Sequence, residues 1–263
     1  MDITDPAIDG GRAFDFGRTS ADYARFRDIY PAELYNTLAG HGIGISGQNV
    51  LDLGTGTAVL PRNMQGFGAK WTGLDISAEQ LAQAKRLAAE QGADITLICS
   101  PAETADLAPH SFDAVTACQC FWYFDPVTLT PRLAELLRPH GKLAVVQMSW
   151  LPHEDSIAAE CERLILRFNP HWTGAGWTRT PVDIPAPVTE RFAVKERFGF
   201  DVTIPFTRES WHGRLRACRG TAASLSEKDL AEWDREDRAL LERIAPERFG
   251  VLHYAAGCIL ELK

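Results

Sequence analysis

Two apolar periodicities alternate along this chain. Val50-Leu51-Asp52-Leu53 is a run of branched apolar residues that reads as a buried strand; Gly54 and Gly56 follow it, and a helical pattern begins at Ala58-Val59-Leu60. Strand patterns return at 71–75, 94–99, 112–117, 141–148, 198–206 and 249–262. Helical stretches fall between them. Residues 23–30 predict a helix ending at Pro31, because the residue before a proline is pushed out of the helical region, and a second helix runs through Leu34 and Leu38. Ser77 and Gln80 have the spacing of a capping box; Leu81, Ala84 and Ala88 then share one face, and Gly92 supplies the stop. Asp125-Pro126 predicts a further helix start, with the acid as N-cap and proline in the first helical position. Later helices are expected at 157–166 and 208–219, and from the cap Ser226 through Leu241.

Two stretches break the pattern. Residues 1–19 hold glycines at 10, 11 and 17 and no periodicity, so they predict a mobile lead-in. From Ser149 to about Pro187 a short amphipathic helix gives way to Asn169-Pro-His-Trp172-Thr-Gly-Ala-Gly-Trp177-Thr-Arg179 and then to Pro181, Pro185 and Pro187. A connection of that length in a compact domain is usually a lid or a binding loop.

Composition narrows the class. With 263 residues and 45% hydrophobic content the chain can bury a sizeable core, which suits one domain carrying an elaboration. A net charge of −8 argues against a polyanionic partner, since nucleic-acid affinity comes mainly from neutralised phosphates. Six scattered cysteines without a C-x-x-C pair read as buried thiols in a reducing cytoplasm; the polar, acidic start has no signal-peptide core, and no apolar run reaches membrane-spanning length.

The chemistry is concentrated at the first glycine turn. A dinucleotide fingerprint needs a third glycine at the sixth place so that a pyrophosphate can reach the helix N-terminus, and Val59 stands there instead. Asp52, two places before the first glycine, suits a ligand bringing positive charge, as S-adenosylmethionine (SAM) does with its ammonium and sulfonium. Asp75 ends the second strand, where a carboxylate can accept both hydroxyls of a ribose.

The ordered set Asp52-Leu-Gly-Thr-Gly-Thr-Ala58, Leu74-Asp75-Ile76-Ser77 and Ser111-Phe-Asp-Ala-Val-Thr-Ala-Cys-Gln119 resembles the signature of class I SAM-dependent methyltransferases, most of all the small-molecule enzymes of the ubiquinone/menaquinone and trans-aconitate methyltransferase type. The match covers roughly residues 20 to 150. Ala58 stands where many members have a third glycine; its extra methyl is not expected to disturb cofactor binding. The resemblance implies an α/β Rossmann-like seven-stranded sheet with helices on both faces and a helical and loop-built lid. It implies four regions: covering helices over 1–45, a SAM-binding core over 46–150, a lid insertion over 151–188, and strands and helices over 189–263 that complete the sheet and the acceptor pocket.

It also implies site residues. Gly54, Thr55 and Gly56 form the cofactor turn with Asp52; Asp75, Ile76 and Gln80 lie toward ribose and adenine; Ala102 and Glu103 border the adenine edge, Glu103 replacing the aspartate that Pro101 displaces. Tyr23 and Arg27, in a Tyr-x-x-x-Arg-x-x-Tyr-Pro helix, are placed at the methionine carboxylate, with the alternative that they simply pack on the surface. Gln119 is expected near the methionine, and Trp122 and Tyr123 at the reaction centre, where an aromatic face stabilises a cation by roughly 0.5–2 kcal/mol.

Tryptophans 122, 150, 172, 177 and 211 fall on segments expected at the acceptor side and predict an aromatic-walled pocket. Methyl transfer from a sulfonium is an in-line displacement governed by alignment and water exclusion, so no universal catalytic residue is required. His153, His171 and His212 are candidate bases, His212 foremost, against the alternative of ordinary satisfied histidines. Arg208, Arg214, Arg216 and Arg219 can bind an acceptor carboxylate or pair with the acidic helix at 227–237. No metal-ligand spacing occurs. The expectation is a cytoplasmic methyltransferase, monomer or homodimer, that turns SAM into S-adenosylhomocysteine on a small molecule, without nucleic-acid or membrane partners. Two alternatives stand beside it: a SAM-using enzyme that releases methylthioadenosine, and a non-catalytic SAM-binding protein.

Overall fold

The computed structural model describes residues 3–263; Met1 and Asp2, the start of the expected lead-in, lie outside the described residues. Seven strands form, five of them within a residue or two of where the apolar pattern placed them and β5 and β6 starting four and six residues earlier: β1 Asn49–Leu53, β2 Lys70–Asp75, β3 Ile95–Cys99, β4 Phe112–Cys118, β5 Leu137–Trp150, β6 Phe192–Thr207 and β7 Arg248–Leu262. They make one sheet in the order β3-β2-β1-β4-β5-β7-β6. β1 pairs in parallel with β2 and β4, β2 with β3, and β4 with β5. The chain therefore winds outward from β1 through β2 to β3, then starts again on the other side of β1 with β4. Connections that diverge in this way leave a crevice outside the carboxyl ends of β1 and β4.

Nine helices accompany the strands among the described residues: α1 Ser20–Phe26, α2 Ala32–Gly40, α3 Val59–Asn63, α4 Ala78–Gln91, α5 Pro126–Leu136, α6 Ser156–Phe168, α7 Ala186–Arg191, α8 Arg208–Arg216 and α9 Glu227–Ile244. Their starts follow local chemistry. The Ser77 hydroxyl accepts the Gln80 amide at 3.2 Å, and Asp125 accepts the amides of Val127 and Thr128 at 3.1 and 3.3 Å, each satisfying donors that a helix N-terminus leaves open. Gly92 closes α4 at φ 66°, the left-handed region that glycine enters without penalty. No helix among the described residues is long and apolar enough to cross a membrane.

The chain divides into two compact units. One comprises the segment ending at Ile29, Ser149–Arg179 and Asp201–Tyr254; the other comprises Tyr30–Met148, Thr180–Phe200 and Ala255–Lys263. The second unit holds β1 to β4 and buries Leu34, Leu38, Val50, Leu60, Met64 and Trp71 in one core. Each such side chain contributes about 1.5–3 kcal/mol on leaving water.

The first unit has a core built on tryptophan. Trp150 and Trp211 meet edge to face with centroids 5.5 Å apart, Trp172 lies 6.2 Å from Trp150, and Phe206 4.9 Å from Trp211. Trp150, Trp172 and Trp211 are buried with Trp233 in that core, so three of the five tryptophans expected on an acceptor side serve as packing. The lead-in also differs from expectation over its described part. Ile3 bridges to Phe14, two 3-10 turns form at Asp9–Gly11 and Phe16–Thr19, and buried Asp9 holds Arg219 at 2.9 Å and accepts the Thr173 amide at 2.7 Å. An ion pair and a buried Phe14 tie down a segment whose composition looked free.

Candidate active site

In the second unit the turn after β1 is held by two carboxylates. Asp52 is buried at the carboxyl end of β1: Thr116 Oγ1, from the residue beside it on β4, donates to Oδ1 at 2.6 Å, and Thr55 Oγ1 donates to Oδ2 at 2.7 Å. Burial raises the Asp52 carboxyl from 3.8 to about 6, against the Thr116 and Thr55 hydroxyls and with the charge of Asp75 adding to it. Asp75, half-buried at the end of β2, accepts the Gly56 amide on Oδ2 and the Ser77 amide on Oδ1, both at 2.8 Å. Its carboxyl is also raised, by burial first, with the Ser77 and Gly56 amides opposing. Neither carboxylate has a lysine or arginine partner among the described residues.

The glycines meet two demands at once. Gly54 and Gly56 take φ 55° and 56°, and a Cβ on Gly54 would lie 2.9 Å from the Cβ of Cys120. Gly73 on β2 makes room in the same way for Thr55, whose Cγ2 and Oγ1 would each sit 2.9 Å from an added Cβ. Ala58 holds φ 56° at the N-cap of α3, so what sets it apart from glycine is its backbone conformation more than its methyl volume. Next to the turn lie Ile76, half-buried, and Gln80, buried in the first turn of α4. Ala102 is buried and Glu103 half-buried on the turn after β3.

The loop after β4 is strained where it leaves the strand. Gln119 takes φ 63°, uncommon for a side chain other than glycine; its amide donates to Val146 O at 2.9 Å and its Nε2 donates to Met148 O, so both ends are tied to β5. Cys120 Sγ donates to Leu53 O at 3.1 Å and joins this loop to the end of β1. The residues that follow form a 3-10 turn, Phe121–Tyr123, with Phe121 buried, Tyr123 half-buried and Trp122 40% exposed. The rings of Trp122 and Tyr123 lie 5.6 Å apart at 59°. Thus Asp52, Gly54, Thr55, Gly56, Asp75, Ile76, Gln80, Ala102, Glu103, Gln119, Trp122 and Tyr123 all belong to this unit. Thr116, Gly73 and Cys120 were not singled out from the sequence; a lone hydroxyl in an apolar strand, in register with Asp52, was the available signal for Thr116.

The remaining candidates belong to the first unit. Arg27 lies over the Tyr23 ring at 4.6 Å and donates to the Tyr23 hydroxyl at 3.4 Å. His212 is buried, stacked on Trp233 with centroids 5.2 Å apart; Nδ1 lies 2.7 Å from Asp237 and Nε2 3.2 Å from Asp234. Burial pulls His212 down, but its bonds to Asp234 and Asp237 outweigh that and leave it above its ordinary value. With Asp237 bonded at Nδ1 and Asp234 at ion-pair distance from Nε2, it holds α8 to α9. Of the arginines, Arg208 donates to Ala245 O, Arg216 pairs with Asp22 and Asp234, and Arg219 pairs with Asp9.

Known proteins with these features form a class. Residues 50–141 match the family described as "Methyltransferase domain". The ubiquinone biosynthesis O-methyltransferase of Vibrio cholerae serotype O1 is 37% identical over 100 residues, 37% of this chain and 41% of that one. The enzyme of the same name from Sodalis glossinidius is 31% identical over 154 residues, 58% of this chain and 61% of the relative. The chain spans about two fifths of the length of the first of these curated relatives. A solved structure from Bacillus halodurans, described as a candidate methyltransferase, covers 88% of this chain and 99% of its own with a TM-score of 0.54 at 14% identity, a likeness of fold. The match to a methyltransferase domain over residues 50–141 falls on the part of the seven-stranded α/β sheet that holds β1 to β4.

Proposed function

We propose that the protein transfers a methyl group from SAM to a small-molecule acceptor. The observation that carries this reading is the turn after β1, where two carboxylates without a protein cation, Asp52 and Asp75, stand on either side of glycines that admit close backbone approach. Such a donor set suits a cationic adenosyl ligand and repels a pyrophosphate. SAM, when bound, supplies an electrophilic methyl on a sulfonium. Asp75 offers its remaining lone pairs to the ribose hydroxyls, Ile76, Gln80, Ala102 and Glu103 border the base, and Asp52 sets a negative potential behind the turn. Gln119, fixed by β5, lies toward the methionine.

Catalysis on this reading is in-line displacement by alignment, with Trp122 and Tyr123 excluding water. His212 is assigned to the fold, not to proton transfer. The relatives named for O-methylation make a hydroxyl oxygen the first accepting atom to test. Six free thiols support a reducing, cytoplasmic setting. The reading is tested by calorimetry with SAM, then by product analysis with a metabolite pool: S-adenosylhomocysteine is expected, and either no SAM binding or release of methylthioadenosine overturns it.

A further inference from the structure

Thr116 lies on β4 in register with Asp52 on β1, inside the second unit, and is fully buried. Its Oγ1 is 2.6 Å from Asp52 Oδ1 and 3.5 Å from Leu51 O. A hydroxyl has one proton to give, so with Asp52 ionised it goes to the carboxylate, the shorter contact. Thr55 holds the other carboxylate oxygen, and Gly73 gives Thr55 the room to turn inward. Two hydroxyls thus bracket the carboxylate, one from the neighbouring strand and one from the turn itself.

A buried carboxylate without a cation is costly in its charged form. The other titratable and charged groups around Asp52 do not relieve that cost. Asp75 on β2 adds negative charge. The thiols of Cys118 at the end of β4 and Cys120 on the loop beyond it are pushed well up, by burial first, and bring no positive charge. Arg62 of α3 is engaged elsewhere, donating to Thr57 O at 3.0 Å and Gln91 Oε1 at 2.8 Å. What opposes burial is the pair of hydroxyls, Thr116 first and Thr55 second, and with them the carboxyl stands at about 6. Asp52 is then mostly charged at neutral pH. A hydrogen bond to a charged acceptor is worth about one pH unit or more, so losing the Thr116 bond would carry Asp52 to neutrality or beyond.

We propose that Thr116 is a positioning residue for the cofactor: its hydroxyl holds the Asp52 carboxylate in place and charged, and so lets the turn after β1 draw a cationic ligand at neutral pH. The assignment rests on the methyltransferase reading above. Calorimetry on the full chain measures SAM affinity at pH 6 and pH 8.5 for wild type, Thr116→Val and Thr116→Ser, each variant set against wild type at the same pH so that titration of the ligand's own amine cancels. Thr116→Val keeps the volume and removes the donor; it should bind SAM tenfold or more weakly than wild type at pH 6 and within about threefold of it at pH 8.5, where Asp52 ionises unaided. Thr116→Ser restores the hydroxyl and should match wild type at both. In an Asp52→Asn background Thr116→Val should add no pH-dependent loss. Thr116→Ala carries the comparison should the Val variant unfold. An equal loss at both pH values, no loss at either, a Ser variant as weak as Val at pH 6, or a pH-dependent loss that survives Asp52→Asn would overturn the assignment. A wild type that binds no SAM at either pH defeats the methyltransferase reading instead, and urea titrations then decide the hold on Asp52: the fall in stability with rising pH should move to higher pH in Thr116→Val, and a coincident fall would overturn it.

Discussion

Asp75 Oδ2 accepts the amide of Gly56 at 2.8 Å, and this bond fastens the turn after β1 to the end of β2. Oδ1 accepts the Ser77 amide and so fixes the start of α4 as well. Asp75→Ala therefore removes two internal bonds along with any bonds to a ribose. Hydrogen bonds to a charged group are worth roughly 1.5–3 kcal/mol each, so SAM affinity should fall tenfold or more. Calorimetry showing wild-type affinity in a folded variant would remove Asp75 from the cofactor site.

Asp52 carries a cost that pH exposes. Its carboxyl rises from 3.8 to about 6, chiefly through burial, so the folded state favours the protonated form. The contribution is fully present below the unfolded value of 3.8 and is lost as pH rises through about 6; the gap amounts to ~3 kcal/mol. Asp52→Asn should flatten the fall in stability between pH 4 and pH 7 and leave the variant about 1–2 kcal/mol more stable at pH 7.5, after a lost hydroxyl bond of ~1 kcal/mol. SAM affinity should drop. Denaturant titrations across that range check it, and parallel pH curves for the two proteins would refute the placement of the cost.

Gly54 and Gly92 separate backbone strain from crowding. Both are left-handed, at φ 55° and 66°, but a Cβ on Gly54 meets Cys120 at 2.9 Å while one on Gly92 meets nothing within 4 Å. The conformational cost of alanine is ~1–2 kcal/mol at either site. Overpacking adds about 1–3 kcal/mol at Gly54 alone. Gly54→Ala should therefore destabilise by at least ~1 kcal/mol more than Gly92→Ala and should alone weaken SAM. Equal losses in chemical denaturation would mean that Cys120 moves aside freely.

What was legible in the chain follows from how local each cause is. The strands at 50–53 and 112–117 and the caps Ser77 and Asp125 depend on neighbours a few residues away, and they appear where the pattern put them. Thr116 depends on the register between β1 and β4, which no single stretch encodes. Trp172 sits in a proline- and glycine-punctuated stretch that reads as a lid or binding loop, and its ring is buried against Trp150. Ala58 and Gln119 occupy left-handed positions without glycine, so the backbone there was invisible to residue type. His212 looked catalytic because its partners, Asp234 and Asp237, come from another helix.

That pairing has its own consequence. The folded-state value of His212 lies above 6.5 because bonds to Asp234 and Asp237 exceed the burial that opposes them. Its contribution is full below 6.5 and fades as pH rises through the folded value. His212→Phe keeps the stack on Trp233 but strands the buried Asp237, at a cost of about 3–5 kcal/mol. The deficit should be larger at pH 6 than at pH 9 in urea titrations, and the pH profile of kcat should keep its shape. A lost acidic limb in that profile would restore His212 as a base.

Trp122 and Tyr123 decide between alignment and acid–base catalysis. Tyr123 is set by a 3-10 turn, its amide donating to Cys120 O at 2.9 Å, and its ring lies 5.6 Å from that of Trp122. The turn is braced on one side by Gln119, bonded to β5, and on the other by the Asp125 cap of α5. A braced ring is suited to holding a cation and excluding water, which needs the aromatic face and not the hydroxyl. Tyr123→Phe should then keep most of the turnover and Tyr123→Ala should lose it, with SAM binding preserved in both. If the hydroxyl moves a proton or orients the acceptor, the Phe variant should fall on the order of a hundredfold, the scale of a lost acid or base. Steady-state rates at saturating SAM separate the two, and a severe Phe defect with intact SAM affinity would replace alignment by proton transfer as the role of this loop.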